Sequence, residues 1–322
     1  MIEVAPIAFV PYLKSVIWGG NKICKYKGIS HQEPNIGESW EISAVKGHES
    51  IVAEGPYKGK SITELATLFG EDLLGSAVMT KYKGQFPLLI KIIDAADNLS
   101  VQVHPNDDLA AKRHGCLGKT EMWYIIDANK GSKIYSGLSM AITPEEYVER
   151  VANGTFVETL AVHSSAPGDV FFLPSGRVHA IGAGNLLAEI QESSDITYRI
   201  YDYDRRDAQG NARELHTELA KDAIDYTVYD DYKMPATPDK VAESNLVDCS
   251  HFAVDRIIVD GEIPLVCGAD SFTVLMCIDG EVTLKYGSGE VLMKAGKTLL
   301  LPAVMTNLFL SGKATLLKAQ AK

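Results

Sequence analysis

The sequence predicts a mainly β chain in which one small β-barrel is used twice, with a few peripheral helices. Three observations point there. Short β-prone runs bounded by Gly, Pro, Asn or Asp dominate the chain, and helical patterns are fewer. The segment GDVFFLPSGRVH, starting at Gly168, recurs in form as GKTLLLPAVMTN, starting at Gly296. The 322 residues are too many for one small core and suit one large or two ordinary domains.

The strand candidates in the first block are FPLLIKIIDA (86–95), LSVQVHP (99–105), TEMWYIIDA (120–128), GDVFFLP (168–174) and NLLAEIQES (185–193). Helices are expected at 61–75, where Ser61 and Glu64 form a capping box, and at 143–154, with Thr143 as N-cap and Pro144 at the first helical position. ARELHTELAKDAIDY (212–226) is read as a third. The Pro-containing, polar stretch 232–244 reads as a linker, so the chain divides into 1–235 and 236–322. After it, 272–302 reads as successive strands joined by Gly-rich turns.

Composition narrows the class. With 46% hydrophobic and 23% charged residues this is the composition of a soluble globular protein. No apolar run is long enough for a membrane span, no signal peptide is read, and the cysteine pattern reads as reduced, cytoplasmic thiols. Five scattered cysteines without a CxxC indicate neither a disulfide framework nor a thiolate zinc site. The net charge of −11 argues against nucleic acid as a partner. It leaves room for an anionic small molecule, which needs only a few local cations.

The repeat also singles out residues. Its register sets Asn307 where the first copy has His179, and Thr273 where the first copy has Glu121. The strand at 99–103 adds two more candidates. Leu99, Val101 and Val103 share one face, while Ser100, Gln102 and His104 share the other. Gln102, His104, Glu121 and His179 thus make a plausible set for one divalent metal. Zinc takes His nitrogen at about 2.0–2.1 Å and carboxylate oxygen at about 2.0–2.2 Å. The absence of Cys from the set argues for a catalytic rather than a structural site. By donor type alone iron, manganese or nickel also fit. Each residue has an ordinary reading too: Gln102 on a solvent face, His104 structural beside Pro105, Glu121 paired with Lys119, and His179 a surface loop histidine.

Three further charges interrupt apolar runs. Arg199 precedes Tyr201 and Tyr203 at period two, and either pairs in a half-exposed strand or points inward to meet developing negative charge. Glu189, in LLAEIQ, is either a proton carrier or the partner of a buried cation. Lys91, in LLIKII, is a buried lysine that needs a partner or a function.

GDVFFLPSGRVH resembles the second sequence motif of the cupin superfamily, with Gly168, Pro174, Gly176 and His179 in its spacing. Ala183 stands where the family usually has Asn. NLSVQVHP, GKTEMWY, GRVHAIG and EIQESSDITYR together resemble the type I phosphomannose isomerases, in their short bacterial form. WGG at Trp18–Gly20 and GESWEIS (37–43) fit the N-terminal portion of that family. The resemblance implies two cupin-type (double-stranded β-helix, jelly-roll) barrels: a catalytic domain with helical insertions (1–235) and a metal-free cupin-like domain (236–322). It implies one Zn2+ per chain on Gln102, His104, Glu121 and His179. It also implies active-site roles for Arg199, Glu189 and Lys119, and substrate contacts from Ser100, Lys91 and Trp18. The implied reaction interconverts mannose 6-phosphate and fructose 6-phosphate through a cis-enediol. A small sugar phosphate is then the expected partner, with a monomer or weak homo-oligomer as the expected assembly. After the Arg the family often continues Gly-Gly-Leu-Thr-Pro-Lys, whereas this chain reads IYDYDRR (200–206). Arg205 or Arg206 is the expected substitute for that Lys. Two competing readings are an isomerase of another sugar phosphate and a sugar-binding regulator without turnover. An iron dioxygenase is disfavoured by the Gln ligand.

Overall fold

The computed structural model describes residues 5–206, 209–236, 242–287 and 289–322. Every strand expected in the first block forms, and the chain is mainly β. A six-stranded sheet runs in the order Val170–Leu173, Glu121–Ala128, Asn185–Glu192, Leu88–Ala95, Ile36–Ile42 and Tyr12–Gly20. A five-stranded sheet runs Tyr198–Tyr201, Val101–Val103, His179–Ile181, Lys133–Leu138 and Leu160–Ser164. Between them lie Trp18, Ile93, Trp123, Ile134, Phe171 and Ile181, with Leu99 beside them. Among the described residues the strand order of each sheet is open, so closed barrels are not observed. Side chains interdigitating between two sheets enclose the interior, as in a sandwich.

The face of Val101 and Val103 packs outward, against Tyr147 of the helix Pro144–Ala152 and Ala220 of the helix Thr217–Ala223. Leu99 differs from the shared face expected for it. It lies just before the strand and turns into the space between the sheets. Ser61 and Thr143 both close capping boxes, with Glu64 and Glu146. The helix expected over 212–226 is limited to Thr217–Ala223. Its first part is instead extended, with Ala212 bridging Arg206. The expected linker is partly packed: Lys233 bridges Phe171, Tyr232 is buried, and Glu243 already begins a strand. Residues 237–241 of that stretch lie outside the described residues.

A further sheet orders Glu243–Asp248, Phe252–Leu265, Leu308–Ala321, Thr273–Tyr286 and Gly289–Lys294, with Thr298–Leu301 also pairing Thr273–Tyr286. The repeat is visible in its register. Leu173 faces Glu121 in the first block, and Leu301 faces Thr273 in the second. All five cysteines are free. Among the described residues no helix is long and apolar enough to cross a membrane.

Candidate functional site

Two neighbouring strands and one from the facing sheet bring the candidate ligands together. Gln102 stands opposite His179 on one side and opposite Arg199 on the other. His104 follows the Val101–Val103 strand, and Glu121 opens the next strand, in the facing sheet. The donor atoms of His104, Glu121 and His179 all lie within 4.8 Å of one another, and the three side chains are fully buried. His179 Nε2 is 3.3 Å from Glu121 Oε1, and His104 Nε2 is 3.6 Å from Glu121 Oε2.

Backbone carbonyls set the orientation of both imidazoles. His104 Nδ1–H donates to the Ile196 carbonyl at 2.9 Å, and His179 Nδ1–H donates to the Arg177 carbonyl at 2.8 Å. A carbonyl only accepts, so each Nε2 is left with its lone pair facing the cluster. Burial, together with Lys119, drives the His179 pKa down to about 3 and that of His104 well below the ordinary value, so both rings are neutral. Neutral imidazole is the form that binds a metal.

Glu121 completes the fit of this donor set to a dication. Its Oε1 is buried without a hydrogen-bond donor, while its Oε2 meets the Lys119 ammonium. Burial raises its carboxyl to about 7 despite Lys119, so the pocket offers less positive charge than an ionised carboxylate there requires. Lys119 Nζ also lies 3.1 Å from His104 Nε2, so an ammonium already stands among donors that would suit a metal cation. Gln102 touches the cluster through Nε2, 3.3 Å from His179 Nε2. Its amide oxygen and nitrogen are interchangeable by a half turn, which would bring Oε1 to the same point.

A cavity of about 410 Å³ opens beside this cluster. Trp18, Lys91, Ser100, Gln102, Lys119, Glu189 and Arg199 line it, so the expected residues other than the three buried ligands share one wall system. Trp18 is 5% exposed; its ring passes over Gly37, where a Cβ would collide with it. Glu189 is fixed at both oxygens. Lys91 Nζ sits 2.9 Å from Oε1, and Trp123 Nε1–H donates to Oε2 at 2.9 Å. Burial opposes its charge, but Lys91 and Lys119 prevail and hold its pKa at about 2. The Arg199 Nε has no hydrogen-bond partner, while its Nη1 donates to the Glu214 carbonyl at 3.1 Å.

Several lining residues were not anticipated: Lys14, Glu38, Trp40, Arg213 and His216. Glu38 accepts from Trp40 Nε1–H at 2.7 Å and faces Lys91 at 3.7 Å. Arg213 lies in the stretch expected to be helical. Its Nε donates to Asp202 Oδ2 at 2.7 Å, and its Nη2 meets Asp202 Oδ1. The expected substitutes lie elsewhere. Arg205 is absorbed by Asp202 and the Asn98 carbonyl, and Arg206 donates to the Gly210 carbonyl, outside the cavity lining. The turn after Asp202, with Tyr203 and Asp204 both at positive φ, reverses the chain and lets Arg205 and Arg213 reach that carboxylate. Lys14, Lys91, Lys119, Arg199 and Arg213 outnumber the carboxylates of Glu38, Glu189 and Asp195 in the lining. An anion has cations to meet here on a chain of net charge −11, chiefly Arg199, since Lys119 and Arg213 already pair with Glu121 and Asp202 behind the lining.

Known proteins share this architecture. Residues 8–149 match the family model "Phosphomannose isomerase type I, catalytic domain", and residues 242–320 match "Mannose-6-phosphate isomerase, cupin domain". The chain is 37% identical to mannose-6-phosphate isomerase ManA of Bacillus subtilis, over 96% of each chain. It is 35% identical to the mannose-6-phosphate isomerase of Streptococcus mutans, over 92% of each. The crystal structure of the B. subtilis mannose 6-phosphate isomerase superposes with a TM-score of 0.89 at 35% identity, covering 98% of this chain and 99% of that one. The apo enzyme of Salmonella typhimurium shares the fold, with a TM-score of 0.80 at 16% identity over 98% and 99%.

Proposed function

Because the chain belongs to the type I phosphomannose isomerases, we propose that it interconverts mannose 6-phosphate and fructose 6-phosphate in the cavity beside Gln102, by a zinc-dependent route through a cis-enediol. One observation carries the reading: two neutral imidazole nitrogens and a buried carboxylate converge beside a cavity lined by excess cations. Gln102, His104, Glu121 and His179 would hold the zinc. When bound there, it supplies a fixed positive charge that polarises substrate oxygens.

The chain's own residues divide the remaining work. Aldose–ketose isomerisation moves one proton between C2 and C1 and another between the two oxygens. Glu189, held ionised by Lys91, takes the proton from C2 of the aldose and returns it to C1. A carboxylate of such low pKa is a weak base, so the barrier must fall mainly through stabilisation of the enediolate. Arg199, with Nε uncommitted, supplies that stabilisation. Lys119 relays the proton between the oxygens. Ser100, Lys91 and Trp18 position the sugar. Arg213, locked onto Asp202 by two nitrogens, presents the rest of its guanidinium to the phosphoryl group.

Residues 1–235 form the catalytic unit, and 236–322 a second cupin-like unit without a metal. The repeated strand register supports a shared form, with Thr273 in the position of Glu121. The whole reading is tested by assaying purified protein for conversion of fructose 6-phosphate to mannose 6-phosphate, with and without a chelator. No turnover by the zinc-loaded protein would leave it a sugar-binding regulator instead.

A further inference from the structure

The loop that presents Lys119 and Glu121 is fixed by carboxylates, and those carboxylates converge on a histidine from the far end of the chain. Three successive amides precede Glu121. Gly118 N–H donates to Asp107 Oδ1 at 2.8 Å, Lys119 N–H to the Pro105 carbonyl at 3.1 Å, and Thr120 N–H to Glu192 Oε2 at 2.7 Å. Glu192 N–H returns a bond to the Thr120 carbonyl at 3.1 Å, so this buried residue grips Thr120 from both sides.

The other oxygens of Asp107 and Glu192 point to one place. His251 Nδ1 lies 3.0 Å from Glu192 Oε1 and 3.9 Å from Asp107 Oδ2. His251 sits in the turn between the strands Glu243–Asp248 and Phe252–Leu265, within the second block. That turn is itself pinned. Lys322 N–H donates to the His251 carbonyl at 2.9 Å, and Lys81 Nζ donates to the Ser250 and Lys322 carbonyls at 2.6 and 2.7 Å.

We propose that His251 is a positioning residue through which the second block holds the Gly118–Thr120 loop, and with it Lys119 and Glu121, in register with the cavity. A buried carboxylate with no charge facing its second oxygen would be free to rotate or to draw in water, and its grip on the Thr120 amide would loosen. His251 limits that freedom as the charge 3.0 Å from Glu192 Oε1, and faces Asp107 at 3.9 Å. Preorganised groups lose rate steeply when displaced by about 1 Å, even where the displaced part is remote from the chemistry. The active-site consequence rests on the isomerase reading above; the structural link does not.

The experiment uses the full chain and three variants: His251→Ala, His251→Asn and Glu192→Gln. Asn can return an N–H to Glu192, and Gln can still accept from Thr120. Amide hydrogen exchange is read over 105–121 and over the whole chain, well below each melting temperature. In His251→Ala, exchange at Gly118–Thr120 accelerates at least about tenfold relative to the strands, kcat falls roughly tenfold, and KM for fructose 6-phosphate moves less than about twofold. His251→Asn and Glu192→Gln recover most of both readouts. Unchanged exchange in the loop overturns the proposal, as does acceleration shared equally by the whole chain. Loss of a second equivalent of bound metal in His251→Ala also overturns it, since the three side chains would then be a metal site. If the exchange result holds while the wild-type protein shows no isomerase activity, the link stands and only the functional reading falls.

Discussion

Gln102 and His179 stand directly opposite each other on neighbouring antiparallel strands, and their Nε2 atoms lie 3.3 Å apart. Strand register, rather than loop conformation, therefore sets the separation of two expected ligands. His179 is additionally locked by the Arg177 carbonyl, whereas the Gln102 amide oxygen is held only by the Ser100 hydroxyl, at 3.5 Å. The two variants should differ. His179→Ala is expected to lose bound zinc almost completely after dialysis. Gln102→Ala should retain it at saturating zinc but with affinity lower by roughly 10–100-fold, the scale seen when a supporting group is removed. Elemental analysis and competition with a fluorescent chelator check this. Wild-type zinc content in His179→Ala would remove it from the ligand set.

Lys119 offers a test in the opposite direction. Its ammonium contacts Glu121 and lies 3.1 Å from His104 Nε2, so it competes with a dication for the same donors. Lys119→Met should bind zinc at least as tightly as the wild type while losing about 10²-fold or more in kcat, within the range for removal of an acid–base group. Weaker zinc binding in Lys119→Met would mean that the lysine helps to build the site rather than compete for it.

Much of this site was legible because strands carry a period of two. Ser100 and His104 are buried, and Gln102 lies between them on the side that meets His179 and the cavity. The repeat in register, Leu173 on Glu121 and Leu301 on Thr273, separated Glu121 from the other acidic residues of the chain. Arg213 was not legible. It lies in a polar stretch with no alternation, and only the turn at Tyr203–Asp204 brings it back to Asp202. The helix Asp107–His114 was legible but unread. Asn106 caps it, Asp107 and Asp108 open it, and Gly115 ends it at positive φ. Its importance, through Asp107 and His251, comes from packing across about half the sequence, which no local pattern encodes.

The two arginines of the cavity should separate kinetically. On the proposed mechanism Arg199→Ala removes charge from where the enediolate would form, and is expected to lower kcat by roughly 10²–10³-fold with zinc content unchanged. On the same reading Arg213→Ala removes a charge-assisted contact to the phosphoryl group of about 1.5–3 kcal/mol that acts in ground state and transition state alike. KM should then rise roughly tenfold or more, with a smaller change in kcat. Steady-state kinetics on fructose 6-phosphate decide it. A KM for Arg213→Ala within twofold of wild type would move the phosphoryl group to another part of the cavity.

The Lys91–Glu189 pair gives a stability prediction with a definite pH sign. Both side chains are buried and their charges meet at 2.9 Å. Burial opposes ionisation of Glu189, but Lys91 and then Lys119 hold its pKa at about 2, below the ordinary 4.5. Burial likewise opposes charge on Lys91, but Glu189 and Glu38 hold its pKa above the ordinary 10.5. A depressed carboxyl contributes stability above its unfolded pKa and loses it as the pH falls toward the folded one. A raised ammonium contributes below its unfolded pKa and loses it at higher pH. The pair thus contributes fully between 4.5 and 10.5. Lys91→Met leaves Glu189 buried with less charge to meet it and should cost about 3–5 kcal/mol at neutral pH. As the pH falls toward 4.5 the variant gains by protonating its buried Glu189, and below 4.5 the wild type loses its advantage, so the gap must narrow. Urea unfolding of both proteins at neutral and acidic pH measures this gap. A gap that stays constant, or widens in acid, would show that Lys91 contributes packing rather than charge.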